Sequence, residues 1–360
     1  MERSKLHLFR FTNKDNIEHV KKGIHRLLEA MKLESILKEE EIVAIKIHIG
    51  EKGNKTHLKP YHVKPIIDYI KNYGAKPFLT DTCVLYKSQR SNAYDHVLLA
   101  HEHGFGIEKI GVPFIVADGI AGRNEASIRI DAPINKEVYI AADFLAANSI
   151  VVVSHATGHM QTGIGATIKN IGMGMSSRKG KLVQHSVSKP RIVSQVCTAC
   201  GLCLRWCPAD AIVVNSEGKS VIVEEKCIGC GECLAVCRFN AVKFRWDRTD
   251  EEVQKQIAEH ALGVIKSKRG KIAYITFAIT MTKDCDCMAQ PERFVVKDIG
   301  VIGGYDPIAI DKAIIDLTEK ESGINLSKAS YPNINYNVQL EYGEKIGLGR
   351  RNYEIEEIQV

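Results

Sequence analysis

The sequence predicts an α/β domain built on a mostly parallel sheet and interrupted by a small cysteine-rich α+β module. Three observations predict it. Short β-branched runs alternate with stretches of helical periodicity before residue 190, the pattern of strands joined by crossover helices. Eight of the eleven cysteines then crowd between residues 197 and 237. Beyond residue 246 the alternation resumes. The simplest organisation is a discontinuous host, residues 1–190 and 246–320, with an insert over 191–245 and a surface-wrapping segment over 321–360. A chain of 360 residues that is 45% hydrophobic has enough apolar mass for such a core.

The elements follow in order. Residues 41–49 (EIVAIKIHI) form a strand, 60–73 a helix, 76–80 a second strand and 92–102 a second helix. Residues 111–117 and 149–154 are apolar enough to be buried strands. After the insert, 249–266 has helical periodicity, and 271–278 and 294–302 are strand-like. Residues 306–319 form a helix with Asp306 as its N-cap and Pro307 at its first position. The last forty residues carry no clear period and are expected to be irregular.

The insert holds two runs, Cys197-x-x-Cys200-x-x-Cys203-x-x-x-Cys207-Pro208 and Cys227-x-x-Cys230-x-x-Cys233-x-x-x-Cys237. A disulfide framework suits short secreted chains, and zinc favours two separated pairs. Tandem runs of four instead resemble the bacterial two-cluster ferredoxins, in which the fourth cysteine of each run serves the other run's cluster. That resemblance implies two [4Fe-4S] clusters. One would take Cys197, Cys200, Cys203 and Cys237; the other would take Cys227, Cys230, Cys233 and Cys207. Gly201, Gly229 and Gly231 stand where a tight loop needs positive φ or close approach. Arg238 replaces the proline expected after the second run and puts a cation beside the first cluster.

Composition excludes several classes. No stretch approaches eighteen uncharged apolar residues, so no membrane span is expected. The amino-terminal ten residues lack an apolar signal core. Many free thiolates with no export signal point to a reducing cytoplasm. The net charge of +6 is spread along the chain without a basic block, so nucleic acid is not an expected partner.

Outside the insert, three places carry chemistry. Residues 154–174 combine His155, His159 and Lys169 with five glycines. Cations on a segment with exposed backbone N–H groups suit a small anionic substrate; a tight crossover packing the insert against its host explains the glycines equally well. No G-x-G-x-x-G or Walker A loop occurs. His185 could join His155 and His159 as a metal set. In Asp284-Cys285-Asp286-Cys287, an extended backbone would put both thiols on one face. They could bind an additional soft metal or react with substrate, or simply fill space between capping aspartates; a C-x-C disulfide is the less expected state. His48 ends a strand, the place where open α/β sheets put active groups. Lone Cys83 is expected in the core.

Taken together, Ile45–Glu51, Thr80–Thr82, Asp118-Gly119, the His155-to-Gly174 segment, Lys181–His185, both cysteine runs, Asp284–Cys287 and Asp306–Asp311 resemble domain of unknown function 362, in its subset of Fe–S centre proteins. The resemblance implies ferredoxin-type clusters and a host that catalyses or binds. The expected function is therefore electron transfer between a redox partner protein and a site made by His48, His155, His159, Lys169, Cys285 and Cys287. The alternative is an accessory protein for metalloenzyme assembly in which the clusters are structural.

Overall fold

Alternating side chains explain how the sheet is sandwiched. The computed structural model describes residues 3–289 and 293–360. Eight strands form the main sheet: β1 Ser4–Arg10, β2 Ile42–Lys46, β3 Lys76–Asp81, β4 Phe114–Val116, β5 Ser149–His155, β6 Ile272–Ala278, β7 Gly300–Gly304 and β8 Tyr353–Glu357. Their order is β8-β1-β7-β6-β5-β2-β3-β4. Every neighbouring pair is parallel except the two made by β7. The expected mostly parallel α/β sheet is therefore what the chain forms.

In β5, Val151 and Val153 face one core while Ile150 and Val152 face the other. Both β5 and β6 are buried along their whole length, as expected of central strands covered by helices. Helices α1 (Ile17–Met31) and α2 (Pro60–Asn72) cover one face. The other is covered by α3 (Thr167–Gly172), α4 (Asp250–Lys268) and α5 (Pro307–Ser322). Asp306 caps α5 by accepting from the Ile308 and Ala309 N–H groups, both at 3.0 Å. Gly172 lets α3 lie against α4, because a Cβ there would meet the Ile257 carbonyl oxygen at 2.1 Å.

Two expectations change. Residues 294–302 are not one strand: regular pairing begins at Gly300, and Phe294 makes only an isolated bridge to Thr282. The C-terminal segment is not irregular. It forms two short helices, Leu326–Ser330 and Asn337–Lys345, and then β8. Strand β8 pairs with β1 at the sheet edge, where alternate exposed charges are tolerated and mask the strand signal.

Residues 191–245 make small ladders of their own. Arg191–Ile192 pairs antiparallel with Val242–Lys243, and Ile212–Val214 with Ser220–Ile222. Short helices Leu202–Arg205 and Glu232–Val236 complete the segment. Among the described residues, no helix is long and apolar enough to cross a membrane.

Candidate functional site

Chain order runs β2, β3, β4 outward, and the next strand of the sheet, β5, returns to the other side of β2. Such a reversal opens a crevice at the carboxyl ends of the strands. A cavity of about 370 Å³ lies there, lined by His48 after β2, Asp81 and Thr82 at the end of β3, and His155 at the end of β5. Exposed Met160 and Met288 border it and mark its mouth.

Its charges are largely paired. Lys46 is fully buried; its Nζ lies 3.0 Å from Asp81 Oδ1 and donates to Asn170 Oδ1 at 2.7 Å. Burial would raise the Asp81 carboxyl, but Lys46, His96 and Arg90 hold it well below the usual range. Arg90 donates to His48 Nε2. A guanidinium can only donate, so that ring is neutral, and burial reinforced by Arg90 keeps its pKa far below normal. His155 contacts acceptors at both nitrogens: Asp286 Oδ2 at 2.8 Å from Nδ1 and the Ile279 carbonyl at 2.7 Å from Nε2. Two acceptors call for two N–H groups. Burial favours the neutral ring, but Asp286 and the carbonyl outweigh it, so the pKa is raised and His155 is an imidazolium. Asp286 is correspondingly lowered to about 2.

Two lysines are left nearer neutrality. Lys169, on α3, has its ammonium enclosed by the cavity wall, and burial with Arg90 lowers it to about 8. Among the described residues it makes no ion pair; its polar contact is Cys285 Sγ at 3.4 Å. Lys181 donates to Thr82 Oγ1 at 2.6 Å and is also lowered to about 8, mainly by burial. The expected anion cradle of backbone N–H groups is filled from within. Thr167 and Ile168 N–H donate to Asp311 at 2.9 and 3.0 Å. The side-chain cations therefore carry any attraction for an anion, and the glycines serve packing. Lone Cys83 is buried, its N–H donating to Asp118 Oδ1 at 2.9 Å.

The structure assembles His48, His155, His159, Lys169, Cys285 and Cys287 around this one cavity. It does not make a metal set of His155, His159 and His185. Both nitrogens of His155 are committed, and His159 Nδ1 sits 2.9 Å from Thr162 Oγ1. Among the described residues, no group of three or more His, Cys, Asp or Glu side chains is arranged to hold a metal ion. Cys285 and Cys287 are joined as a disulfide, with their Cα atoms 5.3 Å apart. The expectation of two free thiols thus gives way. Residues 285–287 turn rather than extend, which lets the sulfurs meet and points Asp286 at His155.

The insert repeats at the level of single φ angles. Ala199 and Gly229 (58° and 68°), Gly201 and Gly231 (70° and 74°), and Asp210 and Asn240 (46° and 55°) occupy matching places in the two runs, all left-handed. Ala211 N–H donates to Cys207 Sγ at 3.3 Å and Ala241 N–H to Cys237 Sγ at 3.2 Å. One small pocket is bordered by Cys197, Cys200, Cys203 and Cys237, a second by Cys207, Cys227, Cys230 and Cys233. A cubane spreads four thiolates over its corners, so it needs a ring of separated cysteines rather than a converged cage. These two rings have that composition. Arg238 is exposed, so the cation beside the first ring faces water.

Sequence reading missed Arg90, Tyr86 and Trp246. Nothing around Arg90 marks it, since its loop has no period. Trp246 was more legible: it is one of two tryptophans, placed where the insert rejoins the host. It stacks edge-on with His185 at 4.3 Å and borders both the cavity and a groove that Cys237 lines.

Among solved structures, a structural-genomics protein from Thermotoga maritima is similar at TM-score 0.41 and 10% identity, over 92% of this chain and 59% of that one. The lactate racemase apoprotein from Thermoanaerobacterium thermosaccharolyticum is similar at TM-score 0.39 and 12% identity, over 77% of this chain and 50% of that one. This chain thus spans about three fifths of the first and half of the second. No curated protein sequence matches it. The family model described as domain of unknown function DUF362 matches residues 43–316, most of the chain, and the protein belongs to that family.

Proposed function

We propose that this protein binds two [4Fe-4S] clusters and transfers electrons through them to a redox site in the host cavity. The observation that carries the reading is the partition of the eight cysteines. Each pocket is bordered by three cysteines of one run and the last cysteine of the other. Once bound, each cluster supplies a one-electron couple. The chain's own residues then have defined tasks. The thiolates hold the irons, and the Ala211 and Ala241 N–H groups temper the charge on Cys207 and Cys237, a recognised control on cluster potential. Trp246 and Tyr86 border both the groove beside Cys237 and the host cavity. Lys169, which makes no ion pair among the described residues, leaves the cavity a positive charge that favours a small anionic substrate. A redox partner protein in the cytoplasm would complete the circuit.

Anaerobically reconstituted protein should contain iron and acid-labile sulfide for two cubanes and give two reduced EPR signals. Cys203→Ala and Cys237→Ala should remove the same signal, and Cys207→Ala and Cys227→Ala the other. Two intact signals in Cys203→Ala would sink the assignment. Pairing of Cys237→Ala with Cys227→Ala would overturn the crossing.

A further inference from the structure

The Cys285–Cys287 disulfide has no task in simple electron transfer. A disulfide's stabilising effect grows with the loop it closes. Here the two residues are separated by two positions, so the bond restrains only its own turn. Its surroundings are chemical instead. Both cysteines line the cavity, Cys285 is only 8% exposed, and Lys169 Nζ lies 3.4 Å from its Sγ. Tyr86 reaches toward the same turn, its hydroxyl 3.4 Å from the Cys287 carbonyl, and Tyr86 also borders the groove beside Cys237. A reducible bond thus stands beside a cation in the wall of the cavity, and the Tyr86 that touches its turn also borders the groove of the cysteine module.

We propose that Cys285–Cys287 is a redox-active disulfide that accepts two electrons from the iron–sulfur module and reduces a small anionic disulfide bound against Arg90 and Lys169. The electron source rests on the function proposed above. Two electrons and two protons convert the bond to two thiols, matching two one-electron clusters. Cys285 loses its proton and its thiolate is stabilised by the neighbouring ammonium. It attacks one sulfur of the substrate disulfide; that S–S bond breaks, and the first substrate thiolate leaves and takes up a proton. Cys287 then attacks Cys285 in the mixed disulfide, the protein S–S bond reforms, and the second substrate thiol departs. In balance, one substrate disulfide, two electrons and two protons give two thiols. Lys169, lowered to about 8 by burial, remains mostly ammonium at neutral pH and is placed to protonate the leaving group.

The test uses full-length protein with its clusters assayed by EPR. After reduction by dithionite, alkylation and peptide mass mapping should show label on both Cys285 and Cys287. A Cys203→Ala/Cys233→Ala protein should label far more slowly with dithionite but equally with dithiothreitol. Reduced cluster signals with an unlabelled Cys285–Cys287 pair would overturn the electron source. Absence of any cluster signal would instead remove the function proposed above, leaving the dithiothreitol arm to judge the disulfide. There, failure to reduce the pair, or free thiols in the protein as isolated, overturns the proposal. In the dithiothreitol-reduced protein, Lys169→Gln should move the alkylation pH profile of Cys285 upward. An unchanged profile would exclude Lys169 as its positioning residue. The reduced protein should be oxidised by oxidised glutathione roughly tenfold or more faster than by cationic cystamine, the scale on which a charged cleft selects ligands. Equal rates would overturn the anionic substrate.

Discussion

The host cavity and the cysteine module are built on opposite principles. The cavity's groups sit at the buried carboxyl ends of central strands, and most already have partners within the protein: Lys46 with Asp81, Arg90 with His48, His155 with Asp286. The module rests on a core of Cys203, Ile212, Cys233 and Val242, on two-residue and three-residue ladders, and on left-handed residues, three of them not glycine. Left-handed backbone costs non-glycine residues about 1 kcal/mol each, and so small a core offsets little of it. The host therefore holds its shape through its own packing, whereas the module has little apolar core of its own, and bound clusters would supply what it lacks.

The sharpest way to break this contrast is to apply a chelator to the reconstituted protein, in which two clusters are proposed. Chelation under reducing conditions should collapse hydrogen-exchange protection over residues 191–245, because metal-binding energy in such a module is folding energy. Strands β5 and β6 should keep their protection. Equal protection before and after chelation would mean that the module folds without clusters, and the contrast would fail.

How much of this was legible depends on where the information lies. The cysteine spacing is local, so the two runs were plain in the sequence, while the crossed sets came from the resemblance to two-cluster ferredoxins. The strands β2, β5 and β6 are mostly apolar and β-branched and were equally plain, and β3 showed as a shorter apolar stretch between charged ends. Strand β8 was not, because an edge strand rich in glutamate lacks the hydrophobicity of a buried one. The cavity was legible only as strand ends and histidines. That His155 meets Asp286, 131 residues away, and that Asp311 fills the N–H groups of Thr167 and Ile168, are consequences of packing that no spacing encodes. The disulfide was missed because an extended backbone was assumed where the chain turns.

A smaller effect tests the rigidity of the host. Lys46→Met should cost about 3–5 kcal/mol, since it strands the Asp81 carboxylate in the interior. Asp81→Asn would strand Lys46 by the same logic. Urea unfolding of the host, followed by circular dichroism, measures both. Replacing both residues together should recover much of the loss, because neither charge is then left alone. A double variant as unstable as the sum of its parents would show that the two do not act as a pair.

The smallest effect lies in pH, and its sign follows from the His155–Asp286 pair. Asp286 falls to about 2 in the folded protein from an ordinary value near 3.9. A depressed carboxyl contributes stability that is present above its unfolded pKa and is lost as pH falls through its folded one. The window therefore runs from about pH 4 down to about pH 2, and the contribution is about 2–3 kcal/mol. His155 is raised in the folded state, so its share is complete below its ordinary value near 6.5, declines as pH rises from there, and is gone above its folded pKa. Between these limits the pair adds a plateau. In Asp286→Asn, burial is opposed only by the Ile279 carbonyl and the weaker pull of Asp298, the imidazole becomes neutral, and one of its two N–H donors disappears. The stability gap between wild type and variant should be widest near pH 5–6 and close toward pH 2. Comparing the two proteins at each pH cancels whatever acid does elsewhere. Imidazole nitrogen chemical shifts for His155 should change from the doubly protonated to the singly protonated pattern at neutral pH. A gap that stays constant down to pH 2 would mean that Asp286 holds His155 by shape rather than by charge.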